Sequence, residues 1–379
     1  MSRTSIDEGE TLWDILTIAE DYEKQYRITP VNISHWDQSE YFKNQIIEFL
    51  TPPLLSDPIN YIFSYELQEA QRVCSELGFN ANKHGILITP SGSVSILCVL
   101  VALKEYGIRD IVALSPYYWS MRHVAKKLQI DIHPIYLEKY KDSFVVPECI
   151  SKEQGKHTAL WITSPIYCTG VYYDVSSINF LKNVSEKYGF TVIDESLAIH
   201  RKEIGPEFSM NSNVISIHTP HKSVCTNGLK FSCVMFPERY QNHFDQWSDA
   251  LYGCMSLSNK EAVLHFLSPN FKLYSSVFHK QVEKCREKLL LLCDKYSIQY
   301  DNNAHGYLNT VYFPSIEAGF ISNPKSVWDM LVSCNGYFIP GSRNHFSTKF
   351  GLCFRVNHAL DSTMYWAVLE RIFRYLSSV

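Results

Sequence analysis

Between residues 85 and 237 short apolar runs alternate with segments of helical spacing, and no other feature restricts the fold of this chain as much. "GILITP" (85–90), "DIVALSP" (110–116), "IHPIYL" (132–137), "ALWITSP" (159–165), "FTVIDES" (190–196), "NVISIHT" (213–219) and "KFSCVMFP" (230–237) read as strands. "SVSILCVLVALKEYG", "WSMRHVAKKLQ" and "INFLKNVSEKYG" read as helices between them. Strands that are apolar along their whole length need cover on both faces. The fold class is therefore α/β, a large domain with a mostly parallel seven-stranded sheet between helices. In such sheets ligands bind at the carboxyl ends of the strands.

The last third of the chain changes character. "VFHKQVEKCREKLLLLCDKYS" (277–297) is an amphipathic helix, followed by "GYLNTVYFPS", "SVWDMLVSCNG", "YFIPGS", "GLCFRVNHA" and a closing helix "MYWAVLERIFRYLSS". These make a smaller α+β C-terminal domain. The expected division is 1–45 packing with the small domain, 46–275 as the large domain and 276–379 as the small one. A chain of 379 residues is long enough for two domains.

The net charge of −4 argues against a broad nucleic-acid surface. No apolar run reaches membrane-spanning length, and "MSRTSIDEGETLWDIL" lacks the apolar core of a secretory signal. The 11 cysteines show neither a CxxC nor a Cys/His metal spacing. In a chain this long they read as reduced thiols of a cytoplasmic protein, and no metal is expected.

The strand ends carry the candidate chemistry. Ser91-Gly92-Ser93 follows the first strand and opens a helix, either as a seat for an anion or as an ordinary N-cap and turn. Tyr117, Tyr118 and Trp119 follow the second, as a stacking platform or as packing. Asp194-Glu195 closes "FTVIDE", where a buried acid needs a cationic or hydrogen-bonding partner. His221 and Lys222 follow "NVISIHT"; Lys222 is a nucleophilic amine or a solvated loop lysine. Taken in order they supply what pyridoxal 5'-phosphate needs: a phosphate cradle, a ring stack, an anion at the ring nitrogen and an amine for the aldehyde.

On these motifs the chain resembles the fold-type I pyridoxal-phosphate enzymes of the class I/II aminotransferase superfamily, over nearly its whole length. "PSGSVSIL" resembles the phosphate-binding turn and "SPYYWSM" the segment with the ring-stacking aromatic. "TSPIYCTGVYYD" is similar to the loop usually written N-P-T-G, and "TPHKSVCTNGLKFSCV" to S-x-S-K followed by G-L-R. The resemblance implies an aspartate-aminotransferase-like fold and Lys222 as the Schiff-base lysine. Asp194 would face the pyridine nitrogen, Tyr118 the ring, and Ser91, Gly92, Ser93, Thr219 and Lys230 the phosphate. Tyr61, in "YIFSYELQEAQ", would reach the phosphate of a partner subunit, which implies a homodimer. Arg355, in "GLCFRVNHA", would hold the α-carboxylate of an amino-acid substrate, bidentately through its fork. Ser34, His35 and Trp36, in the loop "ISHWDQSEYF", would lie on the substrate side.

The departures from the pattern fall where the reaction is chosen. Tyr167 replaces the asparagine that partners the cofactor's phenolic oxygen, as a hydroxyl donor or as filler. Leu197 stands where a tyrosine is usual. His221 replaces a serine and Lys230 an arginine. His35 is either an acid/base group or a polar lid residue. The default reaction is transamination. The alternative is elimination, replacement, cyclisation, decarboxylation or oxidation in specialised amino-acid metabolism. A non-catalytic cofactor-binding regulator is the third reading.

Overall fold

The computed structural model describes residues 8–47, 62–140, 143–152, 155–199, 203–208 and 213–379. Tyr61 lies outside them. The chain divides into a larger unit, residues 44–167 and 172–279, and a smaller one, residues 1–43, 168–171 and 280–379.

The larger unit is built on seven strands: β1 (His84–Thr89), β2 (Asp110–Ser115), β3 (Asp131–Tyr136), β4 (Thr158–Thr163), β5 (Phe190–Glu195), β6 (Val214–His218) and β7 (Ser232–Pro237). Their order across the sheet is β1-β7-β6-β5-β4-β2-β3. Only β7 runs antiparallel, to both β1 and β6; β2, β3, β4, β5 and β6 pair in parallel. The expected mostly parallel seven-stranded sheet is observed, each strand within two residues of its apolar run. The residues of β5 and β6 are all buried, among them the apolar Val192, Ile193, Val214, Ile215 and Ile217 together with the polar Thr191, Ser216 and the strand-end Asp194, Glu195 and His218.

The strand directions decide where function can sit. Six strands point the same way, so the residues that follow β1, β2, β4, β5 and β6 emerge at one end of the sheet. β7 runs oppositely, so the residues just before it emerge at that end too. Ser91, Tyr118, Tyr167, Thr219 and Lys230 all meet this condition, and Asp194, the last residue but one of β5, lies at the same end.

The helix Gly92–Glu105 follows β1 and buries most of its length, including Ile96, Val99, Leu100 and Leu103, against the sheet. It ends in an αL turn at Gly107, φ +80°, the conformation that glycine adopts without strain. Val175–Ser185 is capped by Asp174, whose carboxylate accepts from the Ser177 amide at 2.7 Å. That hydrogen bond pulls the Asp174 pKa down.

The smaller unit holds an antiparallel sheet of β8 (Gln299–Tyr300), β9 (Leu308–Phe313) and β10 (Leu352–Asn357), in that order. The helices Glu8–Tyr26, Pro324–Cys334 and Thr363–Ser377 belong to the same unit, and Ile15, Leu331 and Phe373 share one core with β9 and β10. Phe354 stacks on Phe338 with ring centroids 3.8 Å apart. Val31–Asn32 pairs in parallel with Gly336–Tyr337. The helix expected at 277–297 runs Pro269–Lys295. It starts earlier because Ser268 Oγ accepts from the Phe271 amide at 3.3 Å and Pro269 stands at the first helical position.

Candidate active site

In the larger unit the phosphate-type turn is set by Ser91. Its backbone is extended, φ −166° and ψ 162°, and its hydroxyl accepts from the Val94 amide at 3.4 Å. The cap leaves the first helical amides, those of Gly92 and Ser93, directed out of the helix end, where an anion is favoured. A Cβ added at Gly92 would lie 3.0 Å from Thr219 Oγ1 and 3.7 Å from Ser196 Oγ. The turn after β1 therefore sits against the residues that follow β6 and β5. Only the smallest residue leaves room there.

A chain of buried hydroxyls supports the turn. Ser232 Oγ donates to the His218 carbonyl at 2.7 Å. With its one proton committed, it must accept from Ser95 at 2.8 Å and from Thr219 at 3.2 Å. Ser95 Oγ lies 2.7 Å from Thr89 Oγ1, which donates to the Ser91 carbonyl at 3.1 Å. Thr219 thus aims its hydroxyl proton at Ser232, and must turn it outward to serve an anion. Asn259, capping-box partner of Ser256, donates to the carbonyls of Pro90 at 3.3 Å and Lys230 at 2.8 Å. It ties the segment entering the turn to the segment entering β7. Sequence reading missed Ser95, Ser232 and Asn259: single polar residues inside apolar helices and strands carry no local signal.

Asp194 is 2% exposed, and its Oδ1 accepts from the Ser196 amide at 3.1 Å. Burial pushes its carboxyl above the usual carboxylate range; Ser196 and the positive charge of Lys222 oppose that push. A buried acid of this kind is stabilised by a cation placed against it. Lys222 is half-buried on the short turn Pro220–Ser223, with its Nζ 5.6 Å from the centroid of the Tyr118 ring. Tyr167 is 3% exposed, and its ring centroid lies 5.8 Å from that of Tyr118 at an interplanar angle of 37°. Lys222, Tyr118 and Tyr167 are thus neighbours. His221 is buried, and its Nδ1 donates to the Phe231 carbonyl at 2.8 Å. Burial first, and the Lys222 charge second, push its imidazole down to about 3, so it is neutral. Lys230 and Ser93 are exposed.

In the smaller unit Arg355 is 8% exposed on β10. Its Nε donates to the Ser34 carbonyl at 3.1 Å and its Nη1 to Cys168 Sγ at 3.9 Å. The Trp36 ring centroid lies 4.2 Å from its guanidinium carbon. Ser34 is wholly buried; its Oγ donates to the Arg355 carbonyl at 2.6 Å and accepts from the Ile339 amide at 3.0 Å. Ser34 and Trp36 thus gather around Arg355. His35 is exposed, and its Nδ1 accepts from the Asp37 amide at 3.2 Å.

No family model and no curated protein matches the sequence. Solved structures do match. A mutant aspartate aminotransferase of Thermus thermophilus superposes with a TM-score of 0.79 at 15% identity, covering 98% of this chain and 100% of that one. N-succinyldiaminopimelate aminotransferase of Mycobacterium tuberculosis gives 0.77 at 13%, covering 99% and 100%. YbdL of Escherichia coli, described with a methionine aminotransferase function, gives 0.76 at 12%, covering 98% and 97%. The chain has the aspartate-aminotransferase fold.

One loop of the candidate site has a left-handed residue at a position where the motif it resembles has a proline. Cys168 takes the place of the proline in N-P-T-G, and its φ is +59°. A proline ring holds φ near −65°, so no proline could adopt this conformation. The loop is held in the smaller unit by Thr310 Oγ1, which donates to the Cys168 carbonyl at 2.8 Å, and by the His305 amide, which donates to the Gly170 carbonyl at 2.8 Å. Leu197, where a tyrosine is usual, is partly exposed. Among the described residues no group of three or more His, Cys, Asp or Glu could hold a metal. No helix among them is long and apolar enough to cross a membrane.

Proposed function

We propose that the protein is a pyridoxal-phosphate-dependent enzyme of the aminotransferase type, acting on an L-amino acid. The observation that carries this is the convergence of Gly92, Thr219, Ser196 and Asp194 at one end of the sheet, with Lys222 over Tyr118 beside them. These residues fit the cofactor. A helix N-terminus with a glycine that a Cβ would fill suits a phosphate. A buried acid suits a protonated ring nitrogen. Ser164 Oγ, wholly buried next to Asp194, has no hydrogen-bond partner among the described residues, which adds polar capacity at the same place.

Ser91, Gly92, Ser93, Thr219 and Lys230 hold the phosphate, Tyr118 supports the ring, and Asp194 keeps a proton on the ring nitrogen. Bound there, the cofactor supplies an electron sink for charge developing at the substrate's α-carbon. Lys222 would hold the cofactor through its Nζ and, when not so engaged, would be the base for the substrate's α-proton. Arg355 binds the α-carboxylate, and Ser34 and Trp36 orient it. Tyr167 would partner the cofactor's phenolic oxygen through its hydroxyl. His35 lines the substrate side as a polar residue, since its exposed ring already serves the Asp37 amide. A homodimer, in which Tyr61 completes the partner's phosphate site, and a cytoplasmic location belong to the same reading.

The test is to load the protein with pyridoxal phosphate, add single L-amino acids and follow absorbance. Conversion to the amine form of the cofactor, reversed by a 2-keto acid, is expected. The left-handed Cys168, beside a tyrosine in place of asparagine, favours a second reading: elimination, decarboxylation or another lyase or oxidase outcome. Ammonia or carbon dioxide released without any keto-acid requirement would establish that reading instead.

A further inference from the structure

The loop that carries Trp36 is fastened to β10 on both sides of the indole. Ser34 exchanges hydrogen bonds with Arg355, its hydroxyl donating to the Arg355 carbonyl at 2.6 Å and its carbonyl accepting from Arg355 Nε at 3.1 Å. Asn357, two residues along the same strand, donates from Nδ2 to the carbonyls of His35 at 2.6 Å and Asp37 at 2.7 Å. Asn357 and Ser34 are wholly buried. The backbone on both sides of Trp36 can then neither slide along the strand nor lift away without breaking these hydrogen bonds. It is held with its ring centroid 4.2 Å from the guanidinium carbon of Arg355.

A guanidinium lying over an indole is attracted by the ring's quadrupole, more strongly when water is excluded. Arg355 is buried, so the contact belongs to the stronger class. The carbonyl of Ser34 fixes the Nε edge and the indole fixes one face, so rotation of the guanidinium plane is stopped from two directions. A carboxylate is bound bidentately only when that plane is correctly set. Ordering the side chain before the ligand arrives removes a cost otherwise charged against affinity.

We propose that Trp36 is a positioning residue: its indole presets the plane of Arg355, and the affinity of the site for a carboxylate depends on that aromatic face. This rests on the reading of Arg355 as the carboxylate site. A hydrophobic residue of similar size would fill the space and leave the plane unset.

The experiment titrates the cofactor-loaded protein with propanoate by calorimetry, which needs no knowledge of the substrate's side chain. Trp36→Phe, which keeps a π-face, is expected to bind within about threefold of the unaltered protein. Trp36→Leu is expected to bind about 30-fold more weakly, the size of a desolvated cation–π contact. Its melting temperature should stay within a few degrees, as Trp36→Phe controls for loop packing. Arg355→Gln is expected to abolish binding. If Arg355→Gln binds as well as the unaltered protein, or the unaltered protein does not bind propanoate, Arg355 is not the carboxylate site and the underlying reading fails. If Arg355→Gln abolishes binding while Trp36→Leu matches the unaltered protein, only the positioning role is overturned. Equal weakening in Trp36→Phe and Trp36→Leu also overturns it, because loss of packing alone then accounts for the effect.

Discussion

The two clusters of candidate residues are assembled in opposite ways. In the larger unit Ser91 and Thr219 follow strands of one sheet and Asp194 lies at the end of another, and strand direction brings them to one end. In the smaller unit Arg355 is surrounded by residues far away in sequence: Ser34 and Trp36 from the N-terminal segment and Cys168 from an excursion of the chain. The first cluster follows from secondary structure. The second follows from tertiary hydrogen bonds, such as those of Ser34, that have no local cause. Topology gives the first robustness to substitution outside its turn; the second depends on single buried polar atoms.

The largest effect that tests this contrast is acid sensitivity at the strand-end cluster. His221 is neutral because burial and Lys222 depress its imidazole from 6.5 to about 3. A depressed folded value means stability present above the ordinary imidazole range and lost as pH falls toward the folded value. The cofactor-free protein is therefore expected to lose stability between pH 6.5 and 3. His221→Gln should remove a part of that loss on the order of 5 kcal/mol at most. Melting temperature against pH for the two proteins measures it, and parallel curves would contradict it.

Gly92→Val comes next. Its Cβ would crowd Thr219 Oγ1 at 3.0 Å, and the further methyls would enter the space in front of the helix end. Phosphate affinity, read by equilibrium dialysis with pyridoxal phosphate, is expected to fall about 100-fold, or about 2.7 kcal/mol. An unchanged affinity would mean that the turn is not the phosphate seat.

Ser34→Ala has a smaller effect of another kind. It leaves the Arg355 carbonyl and the Ile339 amide without Ser34 Oγ, in a wholly buried place. Unsatisfied buried groups cost about 1–3 kcal/mol. Thermal denaturation should show that loss, while affinity for the cofactor stays unchanged. A fall in cofactor affinity instead would show that the two clusters are not independently built.

The same contrast explains what could be read from the sequence. The central strands were legible because strands buried on both faces are mostly apolar along their length; the exposed edge strand β3, "DIHPIY", was placed by its position after a helical segment. The strand-end residues were legible because a topological rule says where to look. Cys168 was not, since nothing in "IYCTG" announces a left-handed residue after a tyrosine. Nor was the stacking of Trp36 on Arg355, because no local rule pairs residues so far apart in the chain. Asn259 was not singled out either, although its amide joins Pro90 to Lys230.

The central claim is that Lys222 is the amine that holds the cofactor. Its most direct test is reduction with borohydride after incubation with pyridoxal phosphate, followed by peptide mapping by mass spectrometry. The account predicts one pyridoxyl adduct, on Lys222, and its loss in Lys222→Ala. A stoichiometric adduct on another lysine, or an adduct that persists in Lys222→Ala at the same yield, would contradict it.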